Sequence, residues 1–163
     1  MQHPAPPRSF RRSAVASLVM RRLAAATALV LTAFVAGCGD DDDDPVSPAA
    51  GITGTYALET VNDEDVPVVV VTNGADTGEI TAGSLTLNNN LSFTSSLSIR
   101  TTIGGQVTNE TLTESGTFTR SGSTITLTSG GESVTATLSN NNTTITLTED
   151  DEDLGTIELV FQR

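Results

Sequence analysis

Apolar and polar residues alternate in short segments along the C-terminal part of the chain, from residue 52 to residue 163. The segments are rich in Thr and Ser, and most of them end at a pair of Gly or Asn residues. Alternation with a period of two is typical of strands that bury one face, and such pairs are typical of hairpin turns. The pattern predicts an all-β, antiparallel up-and-down meander.

The turns make this prediction specific, because each turn fixes which residues of two strands lie opposite each other. A turn at 104–105 places Leu97 opposite Leu112. Further turns at 88–90, 121–122, 130–131, 141–142 and 151–153 set Leu85 opposite Phe93, Phe118 opposite Ile125, Leu127 opposite Val134, Leu138 opposite Ile145, and Leu147 opposite Ile157.

With these turns the large apolar residues lie on one continuous face of the meander. If 53–61 is the first strand, the meander has eight strands. An open meander would leave two exposed edges, whereas eight strands can close around side chains or one small ligand. We therefore expect a closed eight-stranded barrel.

Four stretches of this region resemble bacterial lipocalin-like domains of lipoproteins: GTYALETVN at 54–62, GSLTLNNNLSF at 83–93, SGTFTRSGSTITLTS at 115–129 and a closing ITLTEDDEDLGTIELVF at 145–161. Where lipocalins carry Gly-x-Trp in the first strand, this chain has Gly54-Thr55-Tyr56. The resemblance implies a lipocalin-like barrel over 52–163 that binds a small, mostly apolar ligand. The candidate ligand-binding residues are Tyr56, Phe93, Leu97, Leu112, Glu114 and Phe118.

Glu114 is the charged member of this set, because the turn at 104–105 points its side chain inward, opposite Ser95. An ionised carboxylate buried without a partner is costly, so such a group pairs, takes up a proton or lies near water. One interpretation is that Glu114 presents a polar group to a ligand. The other is that it bonds to Ser95 and neighbouring hydroxyls, or that a bulge turns it outward.

The segment 62–79 joins the first two barrel strands and is long for a connection inside a compact domain. It contains four consecutive valines, Val68, Val69, Val70 and Val71. These valines form either a short extra strand with both faces covered or an apolar flap over the barrel mouth. The segment is thus a candidate lid or partner-binding segment.

Two small inward-facing residues, Gly116 and Ala136, lie where their neighbours are large. They either interdigitate with those neighbours or leave a void that a ligand fills. A void favours the ligand-binding barrel that the resemblance implies. A filled interior favours the alternative, a non-catalytic structural or protein-interaction module.

The N-terminal part of the chain has a different composition. Five of the eight cationic residues precede an apolar run at 23–36, which is too short to cross a bilayer comfortably. Val35-Ala36-Gly37-Cys38 resembles the lipobox of bacterial lipoproteins, which implies cleavage before Cys38 and acylation of its sulfur. Residues 1–37 are predicted to be a lipoprotein signal peptide, and Met20 is an alternative translation start.

Residues 38–51 join the lipidated cysteine to five aspartates and two prolines. Like charges and prolines without apolar periodicity are typical of an extended, solvated chain, so a disordered acidic tether is predicted. The tether is either a plain spacer in the periplasm or a signal for display on the cell surface. Gly39, which follows the cysteine, favours sorting to the outer membrane by the rule that enteric bacteria follow.

Composition also limits the chemistry of the mature chain. Three arginines stand against twenty acidic residues after Cys38, a formal charge of −17, so nucleic acid and anionic head groups are repelled. Membrane contact is therefore expected through the acyl chains. The mature chain has no His, no Lys and no thiol besides Cys38, which removes the usual bases, nucleophiles and imidazole ligands. We expect no enzymatic activity, no cofactor and no metal site.

Overall fold

The computed structural model describes residues 49–151 and 155–163. These residues form ten strands, and no described segment is an α-helix. The strands are β1 (Gly54–Val61), β2 (Glu64–Asp65), β3 (Val68–Asn73), β4 (Asp76–Leu87), β5 (Ser92–Ile103), β6 (Gln106–Ser121), β7 (Thr124–Ser129), β8 (Glu132–Ser139), β9 (Thr144–Asp151) and β10 (Gly155–Gln162). The predicted signal peptide, Cys38 and the predicted tether up to residue 48 lie outside the described residues.

Eight of these strands close into an antiparallel barrel, as predicted. Neighbours in sequence pair with each other from β4 to β10, and β1 lies between the two ends of that series. One edge of β1 pairs with β10, and its first half, from Gly54 to Ala57, pairs with β4. The pairing with β10 runs from Ala57 to Val61, so β1 joins the two ends of the series and closes the barrel.

The remaining two strands fill a split between β1 and β4. The second half of β1 pairs with β2, and the first half of β4 pairs with β3. Toward this end of the barrel β1 and β4 therefore diverge. The backbone groups of β1 that would have paired with β4 pair with β2 instead, and those of β4 pair with β3.

The barrel has two ends that differ in their connections. We call base the end that holds residues 49–53, the loop 88–91, the turn 122–123, the 3-10 turn Asn140–Asn142 and Arg163. We call rim the opposite end, which holds residues 62–63 and the turns 74–75, 104–105 and 130–131. The described chain enters the barrel at the base.

The predicted registers are confirmed at three of the six turns. Leu97 lies opposite Leu112, Leu127 opposite Val134, and Leu138 opposite Ile145. At the other three the prediction is wrong by two residues: Leu87 rather than Leu85 lies opposite Phe93, Leu127 rather than Ile125 opposite Phe118, and Leu159 rather than Ile157 opposite Leu147.

Local backbone conformation explains two of these shifts. Gly122, with φ at 60°, is the first rather than the second residue of its turn, because Ser121 still pairs with Thr124. Leu91, with φ at 63°, ends the loop that precedes β5. A turn that lies one residue later moves the register by two, and a side-chain period of two leaves every residue on its predicted face.

Candidate functional site

The predicted ligand-binding residues line the barrel interior, where the apolar members are part of the core. Tyr56, Phe93, Leu97, Leu112 and Phe118 are all buried, and the first and last of these are at most 1% exposed. Leu97 and Leu112 form a cross-strand pair, and Phe93 lies opposite Gly116. The sequence therefore placed these side chains on the correct face of the sheet.

The space that Gly116 leaves open is taken by its neighbours. A Cβ atom at this position would collide with the carbonyl oxygen of Thr128 and lie 2.8 Å from Cε1 of Phe93. A Cβ at Gly83 would lie 3.0 Å from Cβ of Leu58. At both positions the small residue lets large neighbours interdigitate, so the barrel interior is packed.

The four valines form β3, an extra strand beside β4 at the rim. Val68 is buried opposite Ile80, and Val70 and Val71 pack partly against the core. Val69 points to the outer face and is 50% exposed. The segment is thus a paired strand rather than a loose flap, and the prediction that both faces of such a strand are covered was wrong for its outer face.

At the base, residues 49–53 lie against the core and are held by polar side chains. Ala49 and Ile52 are buried, and the hydroxyl of Tyr56 lies 2.9 Å from the carbonyl oxygen of Ile52 and 3.0 Å from that of Asn142. Burial raises the pKa of Tyr56, against the opposing effect of the two nearby arginines. The phenol is therefore a neutral hydrogen-bond donor that closes the base.

Two arginines complete this closure. Arg163 donates from both terminal nitrogens, at 2.6 Å each, to the carbonyl oxygens of Thr53 and Gly51, and its guanidinium lies 5.0 Å from the centre of the Tyr56 ring. Arg120 donates to the carbonyl oxygen of Ala50 at 3.0 Å and to neighbouring groups of the turns. Sequence reasoning missed Arg163, although strand alternation from Phe161 places both residues on the same face.

A pair of carboxylates lies toward the rim. Glu114 is half-buried opposite Ser95, as predicted. Burial is the main cause that raises its pKa; a hydrogen bond with Ser129 lowers it and the nearby Glu132 carboxylate raises it. Among the described residues, Oε2 of Glu132 is buried and has no hydrogen-bond partner.

Sequence reasoning missed Glu132 and Ser129 as neighbours of Glu114. The correct register at 130–131 already pairs Ser129 with Glu132 on the inward face. The predicted register between β6 and β7, although off by two residues, already sets Ser129 opposite Glu114, so the two hairpins together bring Glu132 near that carboxylate. A second cue was present in the sequence, because Glu132 directly follows a Gly-Gly turn that ends at the rim.

The wall of the barrel is uneven at the rim. β5 and β6 have 12 and 16 residues, whereas β7 and β8 have 6 and 8. β7 pairs with β6 only from Thr117 to Ser121. The hairpin of β5 and β6 therefore rises above the turn at 130–131, and no described residue pairs with β6 from 106 to 115 on the side away from β5.

Charge is divided between the two ends of the described barrel. Arg120 and Arg163 lie at the base, whereas Arg100 donates from Nε to a carboxylate oxygen of Glu79 at 2.7 Å on the outer face. The described acidic residues toward the rim include Asp63, Glu64, Asp65, Asp76, Glu110, Glu114, Glu132, Glu149 and Asp150. The rim therefore carries a negative potential.

Comparison with known proteins adds no relative: no protein-family model and no curated protein matches this sequence. Among the described residues no helix is long and apolar enough to span a membrane. No group of three or more His, Cys, Asp and Glu side chains in residues 49–151 and 155–163 is arranged to hold a metal ion.

Proposed function

We propose that this chain is a lipid-anchored, non-catalytic protein of the bacterial cell envelope whose packed lipocalin-like barrel is a structural or protein-interaction module. The observation that carries the proposal is the filled space beside Gly116, where a neighbouring carbonyl group and the Phe93 ring lie. A barrel that holds a ligand needs a cavity among its inward-facing side chains. Packing of this kind supports an outward-facing function instead.

The sequence supports the proposed anchor, and the fold shows at which end the chain after it enters the barrel. The lipobox-like segment ends at Cys38, and an acidic stretch of about ten residues separates that cysteine from Ala49 at the base. The tether thus joins the barrel at the base, which in this proposal is the end nearer the point of attachment. The acyl chains hold the protein, because a chain of this charge gains nothing from anionic head groups.

A ligand-binding function is the second candidate, and one observation favours it. Glu114 is a half-buried carboxylate on the inward face near the rim, and such a group can orient a ligand at a barrel mouth. A ligand there would contact Glu114 and Leu112 rather than the fully packed residues near the base. The two functions therefore differ in whether a small molecule copurifies with the protein.

Native mass spectrometry separates these candidates. The protein would be a soluble mature form, residues 39–163, exported to a bacterial periplasm behind a signal peptide that is not lipidated. We expect the mass of the polypeptide alone, unchanged after incubation with an envelope lipid extract. An added mass that organic extraction removes would overturn the structural proposal in favour of ligand binding.

A cavity variant provides the positive control for this experiment. Phe118→Ala removes a buried ring and leaves an apolar hole, and holes of that kind can bind a small apolar molecule such as benzene. We expect the variant to take up benzene and the wild type to exclude it. The anchor is tested separately by labelled palmitate, which should enter the full chain and not its Cys38→Ser variant.

A further inference from the structure

The unpaired edge of β6 presents a row of backbone hydrogen-bonding groups. The amide of Phe118 donates to the carbonyl oxygen of Leu91 at 2.8 Å, so even-numbered residues of β6 point their backbone groups toward the β5 side. The register with β5 continues without a bulge from Gln106 to Thr117. Odd-numbered residues therefore point their backbone groups the other way.

The row of unpaired backbone groups ends where pairing between β6 and β7 begins. The carbonyl oxygen of Ser115 accepts from the hydroxyl of Ser129 at 2.8 Å, which satisfies the last odd-numbered group before pairing with β7 begins. Farther toward the rim the odd-numbered positions are exposed, and Val107 is 58% exposed. The amides and carbonyls that remain for a partner belong to Val107, Asn109, Thr111 and Thr113, and no described residue pairs with them.

Exposed edges of this length are usually protected in soluble proteins, by lysine, proline or bulges on the edge strand. From 106 to 115 β6 has none of these three devices, and its protection is limited to a fourth, charged residues that point inward. It does carry two inward-pointing carboxylates, on Glu110 and Glu114, and the unpartnered oxygen of Glu132 lies nearby. The backbone of this edge is thus unpaired, and its carboxylates favour a partner with positive charge.

We propose that β6 binds an extended strand of a protein partner by β-augmentation, and that this strand carries Lys or Arg at every second position. This inference rests on the proposed interaction function and names the class of partner. A strand added beside β6 would lie about 4.8 Å from it, above the turn at 130–131. Its inward side chains would meet the carboxylates of Glu110, Glu114 and Glu132, and its outward side chains would meet Thr111 and Thr113.

Charge selects this partner over a second copy of the chain. Two β6 edges that paired about a two-fold axis would bring two inward carboxylates from each copy onto one short ladder, and centring on Leu112 would place Glu110 opposite Glu114. Like charges directly opposite each other destabilise a strand pair. A cationic strand replaces that repulsion with ion pairs and gives the carboxylate of Glu132 a partner.

The test measures binding of a labelled peptide of about nine residues in which Thr and Lys alternate, long enough to cover the open part of β6. The protein is the soluble mature form, residues 39–163. One control peptide has the same composition, with all Thr residues in one block and all Lys residues in another. A second control keeps the alternation but carries Glu in place of Lys. We expect the alternating peptide alone to bind, with affinity that falls as salt rises.

Backbone pairing is tested at Thr111. Thr111→Pro removes an amide that points away from β5 at the open edge, and we expect it to weaken peptide binding by about tenfold. Thr111→Ala keeps the amide and should leave the affinity within about twofold. Proline is tolerated on an edge strand where the missing amide faces solvent, so the variant should fold. Equal affinity of the two variants would overturn the proposal.

Hydrogen exchange of the wild type needs no variant. In the free protein we expect rapid exchange of the amides of Val107, Asn109, Thr111 and Thr113 and slow exchange of the even-numbered amides between them. The peptide should slow the first group. Slow exchange of that group in the free protein, together with a dimer in sedimentation, would assign the edge to a second copy and overturn the proposal.

Failure of this inference is distinguishable from failure of the proposed function. If the alternating peptide does not bind, yet cross-linking of the lipidated chain in its membrane gives a protein adduct at another surface, only the inference fails. If the soluble form carries an extractable small molecule, the proposed function fails whatever the peptide does.

Discussion

The base and the rim of the barrel are built from the same strands but satisfy their polar groups in different ways. At the base, Tyr56, Arg120 and Arg163 hydrogen-bond to backbone carbonyls of the segment that enters the barrel. Toward the rim, Glu132 has a buried oxygen without a partner in the described chain, and β6 has unpaired backbone. The base is a closed structural end, whereas the rim keeps a carboxylate oxygen and a strand edge without partners among the described residues.

The largest difference between the ends should appear when apolar side chains are truncated. Phe118 is 1% exposed near the base, so Phe118→Ala should lower the free energy of unfolding by about 3–5 kcal/mol. Val107 is exposed at the rim, so Val107→Ala should change it by less than about 0.5 kcal/mol. Urea denaturation of the soluble form measures both, and similar losses would show that the rim is a core element too.

The next effect tests the hydroxyl that closes the base. Tyr56→Phe leaves the ring in place but deprives the carbonyl oxygens of Ile52 and Asn142 of their donor. We expect a loss of about 1–3 kcal/mol, because the bond to Ile52 is buried and the bond to Asn142 is partly buried. Hydrogen exchange should accelerate near residue 52 and remain unchanged at the rim. A loss spread evenly over the barrel would contradict a local role.

Arg163 should contribute less, because its side chain is partly solvated. Arg163→Ala removes two bonds to carbonyl oxygens and the contact with the Tyr56 ring, and we expect a loss of about 1–2 kcal/mol after solvent screening. Arg163→Lys keeps the charge but lacks the planar fork, so it should restore less than half of that loss. Full restoration by lysine would mean that charge alone holds residues 51–53.

The smallest effect concerns the carboxylate at the rim. The pKa of Glu114 is raised in the folded protein, mainly by burial, so the folded state binds this proton more tightly than the unfolded chain does. Stability therefore falls as pH rises from the ordinary glutamate range through the raised pKa. Glu114→Gln should remove that slope and stabilise the protein at neutral pH by about 0.2–1 kcal/mol, since solvent screens the group.

The control for this prediction is Glu110→Gln, which removes an exposed carboxylate from the same strand and the same face. We expect its stability to follow the pH profile of the wild type. If both variants flatten the profile equally, the slope reflects the total negative charge of the rim rather than burial of Glu114 beside Glu132.

Strand alternation and turn chemistry were sufficient to predict the barrel. The number of barrel strands and the inward face of each follow from residues that repeat with a period of two, which is why a turn misplaced by one residue did no harm to the core. Registers were harder, because Leu91 takes a backbone conformation that usually belongs to glycine and the sequence does not mark it. After β6 the predicted turn at 121–122 and the observed turn at 122–123 differ by one residue, and Gly122 belongs to both.

The candidate sites were less predictable, because they depend on neighbours far apart in sequence. The inward position of Glu114 followed from one hairpin. Its proximity to Glu132 depends on two more hairpins, at 122–123 and 130–131, so it becomes visible only when three registers are combined. The unpaired edge of β6 follows from its length, because β6 is longer than β7. It stands out as an open edge only once pairing through β1 has closed the barrel.

Closure through β1 also means that the barrel can form only when the last described strand, β10, has been made. Ala57, in the first strand, lies opposite Gln162, in the last, so the barrel closes between segments that are made at opposite ends of the domain. A chain truncated or stalled before β10 would leave one whole edge of β1 and one of β9 without partners. We expect such a fragment to remain an open meander that proteases degrade faster than the closed barrel.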